Sequence, residues 1–138
     1  MDPITFKVQE VPNAFRDRSQ LRRWLHAVAL DHAHRIQELN YVLMKDDELL
    51  KYNSRYLGHD EYTDVITFDG QTGTGISGDI LMSYDRIMEN AKGFGVSINV
   101  ELHRVMVHGL LHLLGHCDKT KAKKAAMREL EDKYLAQY

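Results

Sequence analysis

The sequence predicts an α+β fold in which a small, mixed four-stranded sheet is packed with about five helices. Three observations support this fold class. Four short segments are rich in β-branched and aromatic residues, five longer segments carry apolar residues at helical spacing, and no repeat or linker interrupts them. One helical segment is apolar almost all round, so we expect it to be the buried central helix. We expect residues 1–138 to form a single domain.

Four strands are predicted. Residues 4–8 alternate apolar and polar side chains, as a half-buried strand does, and residues 65–68 are β-branched and aromatic. The other two strands are predicted at residues 39–43 and 76–82. The glycine-rich residues 70–75 predict a hairpin loop that pairs the last two strands antiparallel. These glycines do not indicate a phosphate-binding loop, because no Gly-Lys-Ser/Thr sequence follows them.

Five helices are predicted from apolar periodicity and from residues that cap or end helices. They are residues 20–33, 46–52 and 84–92, a fourth helix that stops before Gly115, and residues 121–138. The predicted N-caps are Ser19 for the first helix, Asp46 or Asp47 for the second, and Ser97 or Asn99 for the fourth. In the last helix the side chains expected to point inward are Ala122, Ala125, Ala126, Leu130 and Leu135.

Composition bounds the class of protein. Eighteen basic and twenty acidic residues give a net charge of −2, which neither demands nor excludes a nucleic-acid partner. The single Cys117 allows no internal disulfide, which fits a reducing compartment. No secretory signal or apolar run of membrane-spanning length is visible, so we expect a cytoplasmic protein without a membrane partner. Five histidines are expected to be surface or half-buried polar residues: His26, His32, His34, His59 and His103.

A metal site is predicted by one stretch of sequence, His-Gly-Leu-Leu-His-Leu-Leu-Gly-His-Cys-Asp. Its first two histidines, His108 and His112, are four residues apart, so a helix places both imidazoles on one face. Gly115 accepts the left-handed conformation that ends a helix, after which His116 or Asp118 can supply a third ligand. Three protein ligands leave one coordination position open, as at a catalytic zinc. We expect one Zn²⁺ per chain.

The same spacing matches that of the metzincin proteases, H-E-x-x-H-x-x-G-x-x-H. Gly109 stands where those enzymes have the glutamate that acts as general base, and a glycine cannot accept a proton. A peptidase is therefore disfavoured, although the metal geometry is unaffected. The spacing also favours Asp118 over His116 as the third ligand.

With three further motifs, this stretch resembles the YbeY family, the metal-dependent endoribonucleases of rRNA maturation and ribosome quality control. The family's His-Gly-x-Leu-His-Leu-x-Gly begins at His108. Residues 53–60 (Asn-Ser-Arg-Tyr-Leu-Gly-His-Asp), 63–68 (Thr-Asp-Val-Ile-Thr-Phe) and 78–80 (Gly-Asp-Ile) are similar to the family's Asn-x-x-(Tyr/Phe)-Arg-x-x-Asp, Thr-Asp-Val-Leu-Ser-Phe and Gly-Asp-Ile. The resemblance implies the YbeY fold and a bound zinc.

Two departures from the family pattern affect the expected chemistry. The family's usual third ligand is a histidine at the position of Asp118, but a carboxylate binds zinc at a similar distance, so Asp118 is expected to serve and His116 is the competing candidate. An anionic ligand should make the bound water a weaker acid. Leu57 holds the place of a family arginine, so Arg55, another cation or the metal alone must stabilise charge on the phosphoryl oxygens.

Asp64 and Arg55 are the candidate catalytic residues. Asp64 stands at a strand entry from which it could face the site and accept a proton. Asp60 and Asp79 lie in the other motifs, and for all three aspartates the alternatives are turn capping or orientation of a ligand histidine. Two basic clusters could contact RNA, although such runs are more often solvated helix faces. They are Arg16, Arg18, Arg22 and Arg23, and Lys119, Lys121, Lys123 and Lys124.

The function implied by the resemblance is that of a zinc-dependent, single-strand-specific endoribonuclease of rRNA maturation and ribosome quality control. Its expected partners are an rRNA precursor and the small ribosomal subunit, and we expect a monomer. One alternative is an RNA-binding ribosome-assembly factor in which the metal is largely structural. The other is a metallopeptidase-like hydrolase that acts on a small substrate.

Overall fold

The computed structural model describes residues 1–70 and 75–138. Within these ranges the chain forms four strands and five helices, so the predicted α+β class is confirmed. The strands are β1 (Ile4–Val8), β2 (Ile36–Met44), β3 (Val65–Asp69) and β4 (Ile76–Ser83). The helices are α1 (Arg18–Asp31), α2 (Asp46–Leu57), α3 (Tyr84–Phe94), α4 (Ile98–Leu113) and α5 (Lys121–Ala136). None of these helices is long and apolar enough to cross a membrane.

The sheet is mixed and has the strand order β1-β2-β4-β3. Strand β2 pairs in parallel with β1 and with β4, and the helices between these strands supply the crossovers that parallel pairing requires. Strands β3 and β4 pair antiparallel, as the sequence predicts, and in the observed register Thr67 lies opposite Ile80. The predicted loop between them includes residues 71–74, which lie outside the described residues.

Helix α4 lies across the sheet and forms the centre of the core. It has seven fully or nearly fully buried hydrophobic side chains, and it packs against α3, α5, β3 and β4. Tyr41 of β2 donates a hydrogen bond to the carbonyl oxygen of Met106, 2.9 Å away in the buried interior. A β-carbon added to Gly109 would lie 2.9 Å from side-chain atoms of Ile80 in β4. Glycine at position 109 therefore allows the helix to approach the strand more closely than any other residue would.

The predicted helix caps are partly wrong. Ser97 caps α4 by accepting a hydrogen bond from the main-chain N–H of Val100, as predicted. The cap of α1 is Asp17 rather than Ser19, because the Asp17 carboxylate accepts from Gln20 N–H and starts the helix earlier. The carboxylate of Asp46 does not cap α2. It instead accepts hydrogen bonds from the side chain of Arg86 in α3 and from that of Ser83, the N-cap of α3.

The predicted inward face of α5 is also wrong in its first turns. Ala122, Ala125 and Ala126 are exposed, whereas Leu130 and Leu135 are half-buried. The residues buried on α5 are Met127, Glu131 and Tyr134. Their spacing defines an inward stripe that includes a carboxylate, and a search for apolar periodicity does not detect such a stripe.

His103 of α4 is buried, in contrast to the expectation that it is a surface or half-buried residue. Its side chain is 8% exposed, and its ring centroid lies 5.7 Å from that of Trp24 and 4.2 Å from that of Tyr138. Burial among these rings disfavours the charged imidazolium and lowers the pKa of His103 to about 4.

This burial predicts an acid-sensitive contribution to stability. The unfolded His103 titrates near pH 6.5 and the folded one near 4, so the unfolded state binds more protons in this range and stability falls on acidification. Between pH 7 and pH 5 the expected loss from this residue is about 2 kcal/mol. The His103→Phe variant should therefore lose about 2 kcal/mol less stability than the wild type between pH 7 and pH 5. Urea titrations of the wild type and of His103→Phe at pH 7 and pH 5 measure the free energy of unfolding. An equal loss of stability in both proteins would contradict the prediction.

Candidate metal centre

Helix α4 presents His108 and His112 side by side near its C-terminal end. Their rings are 4.6 Å apart and nearly perpendicular, and their Nε2 atoms are 3.0 Å apart. Beyond the helix, Gly115 adopts a φ of 102° and its N–H donates to the carbonyl oxygen of His112. The chain then turns back and brings Asp118 Oδ2 to 3.6 Å from both Nε2 atoms. Two ligands from a helix and one from the following turn thus converge on one point.

The triangle of donor atoms fits a divalent cation. Ligand atoms that are about 2.0–2.1 Å from a tetrahedral zinc are about 3.3–3.4 Å from each other. The measured separations of 3.0, 3.6 and 3.6 Å bracket that value. His108, His112 and Asp118 are all half-buried, so one side of the triangle faces solvent and can admit a water or a substrate oxygen.

His116, the competing third ligand, points elsewhere. Its Nε2 lies 2.8 Å from Nε2 of His32, while Nδ1 of His32 donates to the carbonyl oxygen of Val28 at 2.9 Å. In neutral His32, Nε2 therefore accepts a hydrogen bond from Nε2 of His116, which is thus engaged away from the triangle. Burial and the neighbouring imidazoles of His32 and His112 lower the pKa of His116.

Glu131 of α5 orients the first ligand. Its Oε2 is 2.6 Å from Nδ1 of His108, and because a carboxylate only accepts hydrogen bonds, Nδ1 carries the proton and Nε2 keeps a free lone pair for a metal. Arg104 in turn holds Glu131 at 3.0 Å and Asp132 at 2.6 Å. A charged, hydrogen-bonded chain therefore connects α4 to α5 directly behind the metal triangle.

The protonation preferences of the two histidines differ. Burial disfavours the charged form of His108, but the hydrogen bond and the charge of Glu131 outweigh it and raise its pKa. For His112, burial and the proximity of His108 lower the pKa. The pair therefore contains one imidazole polarised by a carboxylate and one that stays neutral, and both present a nitrogen to the same point.

A cleft of about 280 Å³ opens beside the triangle. Asp64 faces it from the segment before β3, where its carbonyl oxygen accepts a hydrogen bond from Ser83 N–H. Burial raises the pKa of Asp64, and the nearby His108 offsets part of that rise. Burial also raises the pKa of Glu101. The charged residues that line the cleft are Asp64, Glu101, Arg104, His108, Asp118, Lys124, Arg128 and Glu131.

The structure brings together four of the five residues that the sequence analysis selected for the site. His108, Asp118 and Asp64 line the cleft, and His112 completes the triangle. Arg55 is exposed on α2, with its guanidinium 5.9 Å from the ring centroid of Tyr56, and it does not line this cleft. Its proposed catalytic role therefore stays a prediction that the geometry does not support.

Sequence reasoning missed four charged residues that line the cleft: Glu101, Arg104, Arg128 and Glu131. Glu101 and Arg104 precede His108 by seven and four residues, which is the spacing of one helix face, so periodicity could have identified both. Glu131 carries no comparable signal, because it reaches His108 from a different helix. Only the packing of α5 on α4 reveals it.

The comparisons with known proteins agree with this geometry. A family model described as endoribonuclease YbeY matches residues 4–138. The chain belongs to the YbeY endoribonuclease family. The prediction of an endoribonuclease is thereby confirmed at the level of the family.

Individual relatives match over nearly their whole length. The chain is 43% identical over 136 residues to the endoribonuclease YbeY of Cytophaga hutchinsonii, covering 98% of this chain and 95% of that protein. It is 39% identical over 133 residues to that of Bacteroides thetaiotaomicron, covering 96% and 97%. A solution structure of a Thermotoga maritima protein superposes with a TM-score of 0.68 at 26% identity, covering 96% of this chain and 86% of that one.

The position of the third ligand can be tested by metal content. We expect Asp118→Ala to lose most of its bound divalent metal, because two imidazoles alone form an incomplete site. His116→Ala should retain it, because His116 is engaged with His32. Elemental analysis after gentle purification measures the metal content of both variants. Loss of metal in His116→Ala with retention in Asp118→Ala would identify His116 as the third ligand.

The role of Glu131 can be tested in the same way. Glu131→Gln keeps the shape of the side chain but removes the charge that polarises His108, and we expect metal affinity to fall about 10–100-fold. Competition with a chromophoric chelator measures the affinity. Glu129→Gln, an exposed position on the same helix, serves as the matched control. Equal affinities in the two variants would show that Glu131 is only a structural residue.

Proposed function

We propose that this chain is a zinc-dependent endoribonuclease that cleaves single-stranded segments of rRNA precursors during ribosome maturation and quality control. In this proposal it acts in the cytoplasm as a monomer on the small ribosomal subunit. The observation that carries the proposal is the convergence of His108, His112 and Asp118 at the edge of a charged cleft in a chain of the YbeY family.

The donor set supports zinc as the resident ion. Two imidazole nitrogens and one carboxylate oxygen form one of the ligand sets of catalytic zinc sites, and the solvent-facing side of the triangle leaves a position open. When bound, such an ion supplies Lewis acidity, which makes water more acidic and stabilises charge on phosphoryl oxygens. Gly109, buried against Ile80, leaves no room for the base of a metzincin peptidase, which further disfavours peptide hydrolysis.

The chain supplies the remaining groups for hydrolysis of a phosphodiester. Addition of water across a P–O bond releases one proton from the water and requires one at the departing oxygen. Asp64 is the residue proposed to accept the first proton and then, as the carboxylic acid, to give a proton to the departing oxygen, because it faces the cleft and is neither part of the triangle nor in an ion pair with a described residue. Lys124 and Arg128 lie on the cleft wall and are suited to hold the phosphate by charge.

A second candidate function is that of an RNA-binding assembly factor with a largely structural metal. Its support is that Leu57 replaces the family arginine and that Arg55 lies away from the cleft. RNA binding without cleavage would favour this candidate.

The decisive experiment uses metal-loaded protein and an rRNA fragment that contains an unpaired loop. We expect the wild type to cleave, His112→Ala to lose both metal and cleavage, and Asp64→Asn to keep its metal while kcat falls about 100-fold or more. Asp60→Asn, an exposed aspartate that accepts a hydrogen bond from Ser54, should behave like the wild type. Equal cleavage by wild type and His112→Ala would reveal a contaminating nuclease and refute the proposal.

A further inference from the structure

The rim of the metal cleft carries an exposed aromatic side chain, Phe94. It is the last residue of α3, and 56% of its surface is exposed although it lines the cleft. Ile87, Ala91 and Phe94 share one face of α3 by their spacing, but the first two are buried whereas Phe94, at the end of the helix, is exposed. Gly95 adopts a left-handed conformation with a φ of 68° and ends the helix, which leaves the ring at the cleft mouth.

Arg128 of α5 lies over this ring. Its guanidinium is 5.1 Å from the ring centroid of Phe94, a cation–π distance that holds the two side chains together across the opening. Both residues line the same cleft as His108 and Asp118. The aromatic ring, the cation and the metal triangle are thus neighbours in one continuous surface.

The cations of the cleft differ in how far their charges are already compensated. Arg104 forms ion pairs with Glu131 and Asp132, so its charge is engaged within the protein. Arg128 and Lys124 form no ion pair with any residue in the described ranges, and they lie four residues apart on one face of α5. Two cations without an ion-pair partner in the described ranges therefore stand beside an exposed aromatic ring, with the carboxylate of Glu101 within electrostatic range of Arg128.

We propose that Phe94 and Arg128 form a nucleotide-binding site at the cleft rim, with Phe94 stacking on an unpaired base and Arg128 contacting the adjacent phosphate. The inference rests on the proposed ribonuclease function and names residues that would select its substrate. Base stacking on an aromatic ring and phosphate contact by an arginine are the two interactions by which proteins hold single-stranded nucleic acid. A base inside a duplex has both faces covered, so this site favours unpaired nucleotides.

A second aromatic group provides a matched control. On α2, the exposed ring of Tyr56 stacks with Tyr52 at 5.9 Å and does not line the metal cleft. Tyr56→Ala therefore removes an exposed aromatic ring without touching the proposed site. Lys133→Gln is the corresponding control for the loss of a positive charge, because Lys133 is exposed on α5 and does not line the cleft.

The first test measures stacking directly. Metal-loaded protein is mixed by stopped flow with a single-stranded oligoribonucleotide that carries one 2-aminopurine, and fluorescence quenching is followed in the binding phase. We expect Phe94→Ala to abolish most of the quenching and to weaken binding about tenfold, the range found for loss of one base–aromatic stack. Phe94→Trp should preserve quenching, and Tyr56→Ala should match the wild type. Unchanged quenching in Phe94→Ala would overturn the proposal.

The second test measures the phosphate contact and the kinetics. Arg128→Gln should reduce the slope of log affinity against log salt concentration by about 0.7, which is the value for one phosphate contact on a single strand. If Lys133→Gln changes the slope by the same amount, Arg128 makes no local phosphate contact.

In cleavage assays Phe94→Ala should raise KM about tenfold with kcat and metal content unchanged. Wild-type cleavage with an unchanged KM in Phe94→Ala would refute the rim site alone. Phe94-dependent binding without cleavage by the wild type would refute the ribonuclease function and leave the rim site intact.

Discussion

The contact between Gly109 and Ile80 determines how α4 sits on the sheet, and the metal centre follows from it. A β-carbon at position 109 would lie 2.9 Å from side-chain atoms of Ile80, so the observed approach of α4 to β4 requires glycine there. With position 109 against the sheet, His108 and His112 lie on the flank of α4 that faces the cleft and α5. The apolar packing of the core thereby sets the direction of the imidazoles, and no ligand residue has to fix it alone.

The charged side chains that line the cleft do not balance each other. Among the described residues that line it, four carboxylates stand against three lysine and arginine side chains. The cleft without an ion therefore carries one negative charge in excess when all carboxylates are ionised. A divalent cation held by the triangle would change that excess to one positive charge and would favour the approach of a phosphate.

Sequence reasoning succeeded where the signal is local and failed where it depends on packing. The spacing of His108 and His112 and the antiparallel pairing of β3 with β4 follow from nearby residues. The choice of Asp118 over His116 needed the turn at Gly115, and the structure shows His116 engaged by His32, the residue that follows α1. Glu131 was invisible to sequence reasoning because a carboxylate on an inward helix face breaks the apolar pattern. The same residue explains why the inward stripe of α5 was misplaced.

The hydrogen bond from His108 to Glu131 has a consequence for how the protein matures. The ligands on α4 and in the following turn are synthesised before α5, so a nascent chain possesses its three metal donors before it possesses the carboxylate that orients the first of them. The ion pair between Arg104 and Glu131 forms only when α5 packs against α4, so it joins the two helices beside the candidate metal site. The carboxylate that orients His108 therefore reaches the candidate site only after α5 has packed on α4.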